Sequence, residues 1–250
     1  MTTKTILKNI GITAILLLLT LAMAAYKYFT PLKIYYPNFG ISIPRNYSIH
    51  GIDVSRHQGA INWPLVKAMH IKDIQIEFAF IKATEGSSYT DLRYLYNWKK
   101  SKDVGIMRGA YHYYKPQKNA KSQALHFIHI VKLQHGDLPP VLDFEEDGGF
   151  KDEVLLDHLK TWLKIVEAHY GMKPIIYVNT NFYHRYIKGN LDEYPIWIAH
   201  YYKGRPRLSD QAQWKFWQHH DGGRVDGISE KVDFNVFRGK KDDLLLLVKK

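Results

Sequence analysis

The stretch Pro139-Pro140-Val141-Leu142-Asp143-Phe144-Glu145-Glu146-Asp147 leads from two prolines through a short apolar run into a series of carboxylates. This order predicts a buried strand that ends in acidic residues. Side chains two positions apart on a strand share a face, so we expect Asp143 and Glu145 to point the same way while Phe144 packs behind them. Repulsion and burial would raise the pKa of at least one carboxyl and leave a proton donor beside an anion, as glycoside hydrolysis requires. A single D-x-E sequence, taken alone, is more often the solvated end of a strand.

Around this strand the sequence alternates short apolar runs with helical patterns. Further strand patterns occur at 52–54, 78–84, 107–114, 174–178, 196–199, 215–218 and 231–234. Helical patterns occur at 63–70, 92–102, 120–133, 153–170 and 181–187, and they become rare after the fifth strand. Eight strands with about five helices predict an α/β fold, an irregular closed barrel of the TIM type.

Acidic residues recur where the predicted strands end, at Asp53, Glu85, Asp143, Glu145 and Asp233. In parallel α/β barrels the reactive groups collect at the C-terminal ends of the strands, so these acids should meet in one cleft. We assign Glu145 as the proton donor. Asp143 would stabilise positive charge on the reacting sugar or orient a substrate group, and Asp53 and Asp233 would hold the electrostatic frame.

Aromatic residues accompany the same strand ends and offer flat faces on which sugar rings could stack. The aromatic candidates are Tyr111, Tyr113, Tyr177, Trp197, Tyr201 and Trp217. Glu85 and Gln218 are further candidates for binding substrate. Ordinary packing in the core or at the rim explains each aromatic residue equally well.

The chain has 250 residues, 46% of them hydrophobic, which is enough to bury one full core. Its formal net charge of +11 predicts attraction to polyanions such as nucleic acid, an anionic membrane surface or an acidic wall polymer. Nucleic acid is the weakest of these, because the basic residues are scattered and form no block interleaved with aromatic residues. The absence of cysteine excludes disulfides, thiolate metal sites and a cysteine nucleophile.

A metal-dependent hydrolase is the competing enzyme class, since thirteen histidines accompany the acids. The histidines that could face a pocket are His57, His112, His200, His219 and His220. They form no H-E-x-x-H or H-x-H pair, and the sequence has neither a P-loop nor a G-x-S-x-G elbow. We therefore predict no metal and no cofactor at the site.

The N-terminal segment resembles an export signal or a membrane anchor, because Lys4 and Lys8 precede an uncharged, apolar run at 9–26. Ala22-Met23-Ala24 resembles a cleavage site, yet the run is nearly long enough to cross a bilayer, with residues 26–29 suited to an interface. We favour an uncleaved transmembrane helix with the remaining chain outside the cytoplasm; cleavage would give a secreted protein. The predicted organisation is an anchor or signal peptide at 1–29, an extended linker at 30–47, the barrel domain at 48–240 and a C-terminal tail at 241–250.

Short motifs follow one another along most of the chain. They are Gly51-Ile52-Asp53-Val54-Ser55 with His57-Gln58-Gly59, Phe80-Ile81-Lys82-Ala83-Thr84-Glu85-Gly86, Gly109-Ala110-Tyr111-His112, Asp143-Phe144-Glu145, Pro195-Ile196-Trp197-Ile198-Ala199, Trp217-Gln218 and Val232-Asp233-Phe234-Asn235. Each motif is weak alone, but the ordered set, over residues 51–237, resembles the lysozymes of glycoside hydrolase family 25, the Chalaropsis-type muramidases. The sequence departs from the family's usual pattern around 179–180 and 219–220, which bears on substrate detail.

The resemblance implies a flattened (β/α)5(β)3 barrel that cleaves the β-1,4 bond between N-acetylmuramic acid and N-acetylglucosamine in peptidoglycan. It implies Glu145 as general acid and base, and Asp143 as the partner of the substrate's own N-acetyl group in a neighbouring-group mechanism. Asp53 and Asp233 complete the acidic site, and no metal is implied. We expect a monomer that binds peptidoglycan, with membrane contact only through an uncleaved N-terminal helix.

Two other functions remain compatible with the same fold. One is a non-catalytic module that binds the cell wall, since a fold does not dictate activity. The other is a glycosidase that acts on chitin-like polymers. Retention of Asp53, Asp143, Glu145 and Asp233 favours an enzyme, because a binding module needs no proton donor beside an anion.

Overall fold

The computed structural model describes residues 3–29, 32–206, 208 and 214–250. Its strands, in chain order, are β1 (Lys33–Tyr36), β2 (Ile41–Pro44), β3 (His50–Val54), β4 (His70–Ile71), β5 (Ile74–Glu85), β6 (Tyr89–Thr90), β7 (Met107–Tyr113), β8 (Val141–Asp143), β9 (Ile175–Asn179), β10 (Ile196–Ala199), β11 (Trp214–Gly223) and β12 (Val232–Phe237). Its α-helices are α1 (Thr3–Phe29), α2 (Trp63–Ala68), α3 (Tyr94–Asp103), α4 (Ala120–Ile130), α5 (Asp152–Tyr170), α6 (Thr180–Phe182) and α7 (Lys241–Leu245). A 3-10 turn, Arg56–Gln58, follows β3, and a π-helix, Tyr183–Ile187, continues α6.

Eight of the described strands close into a barrel in the order β3, β12, β11, β10, β9, β8, β7 and β5, and β5 pairs back with β3. Six neighbouring pairs are parallel: β3–β5, β5–β7, β7–β8, β8–β9, β9–β10 and β10–β11. Strand β12 is antiparallel to both of its neighbours, β11 and β3. The first five barrel strands are each followed by a helix, and in the described part of the chain no helix separates β10, β11 and β12. The predicted α/β fold with a closed eight-stranded barrel is confirmed.

Aromatic rings fill the interior of this barrel. Phe80 stacks on Trp197, with 4.4 Å between ring centroids, and its ring lies edge-on to Phe78 and Phe216 at 5.7 and 5.0 Å. All four side chains are buried. Edge-to-face and offset contacts of this kind add to the free energy gained from burying the rings.

Two strand glycines leave the space that these rings occupy. A Cβ atom on Gly109 of β7 would lie 2.6 Å from the ring of Phe80, and one on Gly51 of β3 would lie 2.5 Å from the ring of Phe78. Any side chain at either position would therefore displace a ring that is already packed on several sides.

The helices pack on the outside of the barrel, and α5 shows the pattern most fully. Its buried residues recur at helical spacing and are Leu155, Leu159, Trp162, Leu163, Val166 and Tyr170. The helix ends at Gly171, whose backbone is left-handed with φ of 69°. Glycine adopts this conformation without a steric penalty, so the helix predicted over 153–170 and its terminator are confirmed.

Residues 33–44 form a folded β-hairpin, whereas we expected an extended linker over residues 30–47. Strands β1 and β2 make an antiparallel hairpin, and Phe39 and Ile43 are buried in the hydrophobic core outside the barrel sheet. The ring of Phe39 meets that of Phe234 in β12 at 5.3 Å. The prolines that suggested a linker are compatible with the hairpin, because Pro44 ends β2 and Pro37 lies in the turn.

The C-terminal residues are also part of the folded domain and not a separate tail. Leu244 of α7 is fully buried in the cluster that fills the barrel. The Lys249 N–H donates to the Asp137 carbonyl at 2.8 Å, and the Gly136 N–H donates to the Lys249 carbonyl at 2.9 Å. These contacts tie the chain end to the loop that precedes β8.

The N-terminal segment is helical as α1. Over the described residues, no helix combines the length and the apolar character required to span a membrane. The predicted transmembrane anchor therefore has no support in the structure. The side chains of residues 1–8 and 24–31, which include Lys4, Lys8, Ala24 of the cleavage site and the interfacial residues 26–29, lie outside the described part of the chain.

Gly109→Ala should lower the free energy of unfolding by about 1–3 kcal/mol, because the added methyl group overpacks the barrel against Phe80. Alanine would otherwise be the better residue in a strand, so the sign of the effect is diagnostic. Denaturant unfolding followed by fluorescence measures it. Gly222→Ala is the control, since the nearest heavy atom to its Cβ is 3.5 Å away, in His220. Equal stability of the two variants would contradict this account of the packing.

Candidate active site

The predicted acids meet in a cleft of about 310 Å³ at the C-terminal end of the barrel. The predicted residues that line it are Asp53, Tyr111, Asp143, Glu145, Tyr177, Trp197, Tyr201, Gln218 and Asp233. Seven barrel strands or their ends supply them, so closure of the barrel gathers residues that are distant in the sequence. Tyr113 also lines the cleft, whereas the predicted site residues Glu85 and Trp217 do not.

Asp53 is the penultimate residue of β3 and is held by two amide groups. Its Oδ2 accepts hydrogen bonds from Asn235 Nδ2 at 2.7 Å and from Gln218 Nε2 at 2.8 Å. Burial raises the pKa of Asp53 to about 6, and these two hydrogen bonds act in the opposite direction. Asp53 is therefore an anion at neutral pH, in a site where water does not solvate it.

Asp233 lies directly opposite Asp53 in the pairing of β12 with β3, and the two carboxyl groups hydrogen-bond each other. Burial and then the charge of Asp53 raise the pKa of Asp233 to about 9. Because Asp53 already accepts two amide hydrogen bonds, the shared proton belongs to Asp233, which donates it to Asp53. At neutral pH the pair carries one proton and one negative charge.

The central pair differs from expectation in its backbone. Strand β8 ends at Asp143, so Glu145 lies two residues beyond the strand and not on it. The Phe144 N–H donates to the Tyr177 carbonyl at 3.0 Å, which continues the pairing with β9 by one residue. The Phe144 ring packs away from the cleft against Phe182 at 4.9 Å. Both carboxyl groups consequently line the cleft, as predicted.

Burial dominates the protonation of this pair. It raises the pKa of Asp143 well above the usual range, and the charge of Glu145 raises it further. Burial also raises the pKa of Glu145, while the positive charge of Lys82 opposes the shift. Among the described residues Asp143 Oδ1 has no hydrogen-bond partner, although it is buried. The pair therefore keeps a proton to higher pH than free carboxyl groups do, and Asp143 Oδ1 is available to a substrate group.

Lys82 is a cleft residue that sequence reasoning missed. Its Nζ donates to Glu85 Oε2 at 2.8 Å and lies 4.5 Å from the centre of the Tyr113 ring. Its positive charge lowers the pKa of both Asp143 and Glu145. Glu85 therefore reaches the acids through Lys82. A break in the register of β5 and β7 falls between Lys82 and Thr84, so simple alternation along the strand does not predict this arrangement.

Two tyrosine hydroxyls bind the same amide group that holds Asp53. Tyr177 and Tyr201 both donate to Gln218 Oε1, each at 2.7 Å, while the Nε2 of Gln218 donates to Asp53. Gln218 therefore has a fixed orientation. Asn235 is fixed in the same way, because its Oδ1 accepts from Trp197 Nε1 at 2.7 Å. Asn235 had no predicted role, but its position two residues after Asp233 on one strand was the signal for a shared face.

Other candidates have different positions. Trp217 is fully buried in the core outside the barrel, and His112 is buried between Thr84 and Gln123. His57 lines the cleft, with Ser55, Gln58 and Tyr113. Throughout the residues that the structure describes, no group of three or more His, Asp or Glu side chains is arranged to hold a metal ion.

Comparison with known proteins gives a consistent set of matches. A family model, Glycosyl hydrolases family 25, matches residues 52–228. The uncharacterized protein YegX of Escherichia coli strain K12 is 48% identical over 84% of this chain and 77% of its own length. Lysozyme M1 of Streptomyces globisporus is 34% identical over 80% of this chain and 71% of its own length. The structure of a family 25 glycosyl hydrolase from Bacillus anthracis has a TM-score of 0.76 and 33% identity, covering 82% of this chain and 96% of that chain.

Asp233→Asn should remove a dependence of stability on pH. The pKa of Asp233 is raised in the folded state, so unfolding releases a proton and the wild type loses stability as pH rises from about 4 to about 9. Release of one proton corresponds to at most about 1.4 kcal/mol per pH unit. Asparagine is neutral and still donates to Asp53. The melting temperature of the variant should therefore rise relative to that of the wild type as pH rises.

Asp157→Asn, at an exposed position of α5, is the control for this measurement. Its unfolding should follow the wild type at every pH. Parallel curves for Asp233→Asn and the wild type would show that Asp233 does not hold the proton.

Proposed function

This chain belongs to glycosyl hydrolases family 25, and we propose on that premise that it is a lysozyme that hydrolyses peptidoglycan. The bond cleaved is the β-1,4 bond between N-acetylmuramic acid and N-acetylglucosamine. The observation that carries the proposal is the meeting of Asp143 and Glu145 in one cleft, with raised pKa values and a second acid pair opposite. A cleft that holds protonated and ionised carboxyl groups together is equipped for acid-catalysed glycoside hydrolysis.

Glu145 is the general acid in this proposal. It protonates the glycosidic oxygen as the bond from that oxygen to the anomeric carbon breaks, and the leaving sugar keeps the proton as a hydroxyl. The carbonyl oxygen of the substrate's own N-acetyl group then bonds to the anomeric carbon. Glu145, now a carboxylate, accepts a proton from the water that reopens this intermediate. Glu145 is regenerated in its acid form, and the product carries a new reducing end.

Asp143 assists the N-acetyl group. Its Oδ1 is buried without a hydrogen-bond partner among the described residues, so an amide N–H of the substrate would supply the partner that this oxygen lacks. An oriented amide presents its carbonyl oxygen to the anomeric carbon, and a nearby carboxyl group stabilises the positive charge that develops.

Asp53 and Asp233 maintain the electrostatic frame, and the tyrosines bind the sugar. The anionic Asp53 favours developing positive charge in the cleft, while the proton on Asp233 keeps the cluster from carrying four negative charges. Tyr177, Tyr201 and Trp197 supply aromatic faces and hydroxyl groups at the cleft wall. Peptidoglycan lies outside the cytoplasm, and we place the barrel domain there too, in keeping with Lys4 and Lys8 before the apolar segment.

Glu145→Gln should lower the release of reducing ends from purified peptidoglycan by about 100-fold or more, because glutamine cannot donate the proton. Asp147→Asn is the matched control from the same run of acids. Its carboxylate pairs with Arg185 at 3.0 Å outside the cleft, so this variant should keep its activity. Muramic acid at the new reducing ends, identified by borohydride reduction, establishes which bond is cut.

The same assay distinguishes the other functions. Binding to peptidoglycan without release of reducing ends by the wild type would indicate a wall-binding module. Release from chitin but not from peptidoglycan would indicate a chitin-type glycosidase. Full activity of Glu145→Gln would leave the lysozyme in place and remove Glu145 from the role of acid.

Lys82→Met should move the pH–activity profile to higher pH by about one unit. The Lys82 charge lowers the pKa of Asp143 and Glu145, so its removal lets both acids keep their protons to higher pH. The initial rate of reducing-end release, measured across pH, reports the shift. Lys82→Arg keeps the charge and should restore the wild-type profile, whereas an unchanged profile in Lys82→Met would exclude this positioning role.

A further inference from the structure

A second cavity has a volume of about 1070 Å³ and is more than three times as large as the catalytic cleft. We call it the basic groove. Its lining includes Tyr47, Lys188, Lys203, Arg205, Trp214 and Arg238. None of the described residues lines both the groove and the cleft. It is a separate feature that the hydrolytic mechanism does not use.

The Lys and Arg side chains among the described lining residues give this part of the groove a positive charge. Lys188, Lys203, Arg205 and Arg238 are exposed, and the described residues that line the groove include no Asp or Glu. Within the described ranges none of these four cations has a carboxylate partner within salt-bridge distance. Arg185 shows the contrast, because it lies one turn before Lys188 and pairs with two aspartates, Asp147 and Asp152. Uncompensated cations around a concave surface concentrate positive potential there.

Two aromatic residues give the groove a fixed apolar surface. The Arg238 guanidinium lies 4.8 Å from the centre of the Trp214 ring, and the Tyr47 ring lies 6.1 Å from it. Trp214 and Tyr47 are both half-buried, so each presents part of a ring to the groove. A guanidinium held over an indole is already oriented, and it loses little conformational freedom when it binds an anion. Rings beside cations are suited to a sugar that carries an acidic group.

Trp214 of the groove and Gln218 of the cleft lie at different levels of β11. Trp214 pairs with Ile196 at the start of β10, whereas Gln218 of the cleft pairs with Ala199 at its end. Four residues of strand separate Trp214 from Gln218, which is about 13 Å along the chain. A polymer is long enough to occupy both places, and a single disaccharide is not.

We propose that the basic groove binds an oxyanion-bearing saccharide segment of a cell-wall polymer and holds the polymer at the enzyme while the cleft cuts it. The polymer's identity rests on the proposed lysozyme function, but anion binding does not. Two sources supply the same chemistry. Peptidoglycan carries carboxylates on its peptides and on those muramic acid residues that bear no peptide, and other wall polymers carry phosphate on sugar.

Binding of the full-length chain to insoluble peptidoglycan, measured by co-sedimentation in the cold, tests the groove. All proteins carry Glu145→Gln. In that background Lys188→Gln/Arg205→Gln removes two groove charges, and Lys121→Gln/Lys164→Gln removes two exposed charges from α4 and α5. The groove variant should raise the Kd about fivefold or more at low salt, and the control variant less than about twofold. Equal losses in the two double variants would overturn the proposal, because they would show a general charge effect.

Soluble probes identify the source of the anion. The indole N–H signal of Trp214, assigned by its disappearance in Trp214→Phe, is followed by NMR during titration. N-acetylglucosamine 1-phosphate represents a phosphate source, N-acetylmuramic acid represents a carboxylate source, and neutral N-acetylglucosamine is the control. A shift with either acid but not with the neutral sugar supports the site and names its source. No shift with either acid would overturn it.

The outcome is independent of the lysozyme assay. Suppose that the wild type releases no reducing ends, but the groove variant still loses binding selectively. The lysozyme proposal would then be refuted and the proposal of anion binding in the groove would stand. A wild type that cuts peptidoglycan, but whose groove variant binds like the control variant, would retain the lysozyme and refute the groove.

Discussion

The packing of aromatic rings inside the barrel is the interaction on which the rest of the structure depends. Phe80, Trp197 and Phe216 fill the space that eight strands enclose, and Gly109 permits Phe80 to occupy its position. This packing fixes the strand ends and also forms the dry floor of the cleft, since Trp197 belongs to both. Carboxyl groups above such a floor lose solvation, so the same rings that stabilise the fold raise the pKa of the acids.

Four carboxyl groups in one cleft would repel one another if all were ionised. The structure avoids this in two ways. Asp233 and Asp53 share a proton across one strand pair, and Gln218 and Asn235 donate to the oxygen that carries the charge. Lys82 offsets the negative charge of the central acids, Asp143 and Glu145. A coupled cluster of this kind titrates as a unit, so no single residue sets the protonation state of the cleft.

Sequence patterns predicted the parts of this structure that follow from alternation and from strand ends. Asp53, Asp143 and Asp233 end their strands or lie within one residue of the ends of pairing, and barrel closure brings them together. Contacts that depend on irregular backbone could not be predicted in the same way. Lys82 reaches the cleft beside a break in strand register, and Glu145 reaches it from beyond the end of β8. The hairpin at 33–44 was not predicted, because its prolines suggested a linker. Prolines are nevertheless compatible with an edge strand and with a turn.

The charge of the molecule is divided in a way that suits a polymeric substrate. The whole chain has a formal net charge of +11, whereas the proposed catalytic groups in the cleft are all acids. Positive potential at long range draws a polyanion towards the surface, but it cannot orient a sugar over Asp143 and Glu145, because salt screens it within about 10 Å. Orientation must come from short-range contacts in the cleft, where burial strengthens each hydrogen bond. Attraction of the polymer and cleavage of its bonds can therefore be assigned to different surfaces. Cations in the basic groove attract the polymer, and they lie too far from the catalytic acids to change their protonation.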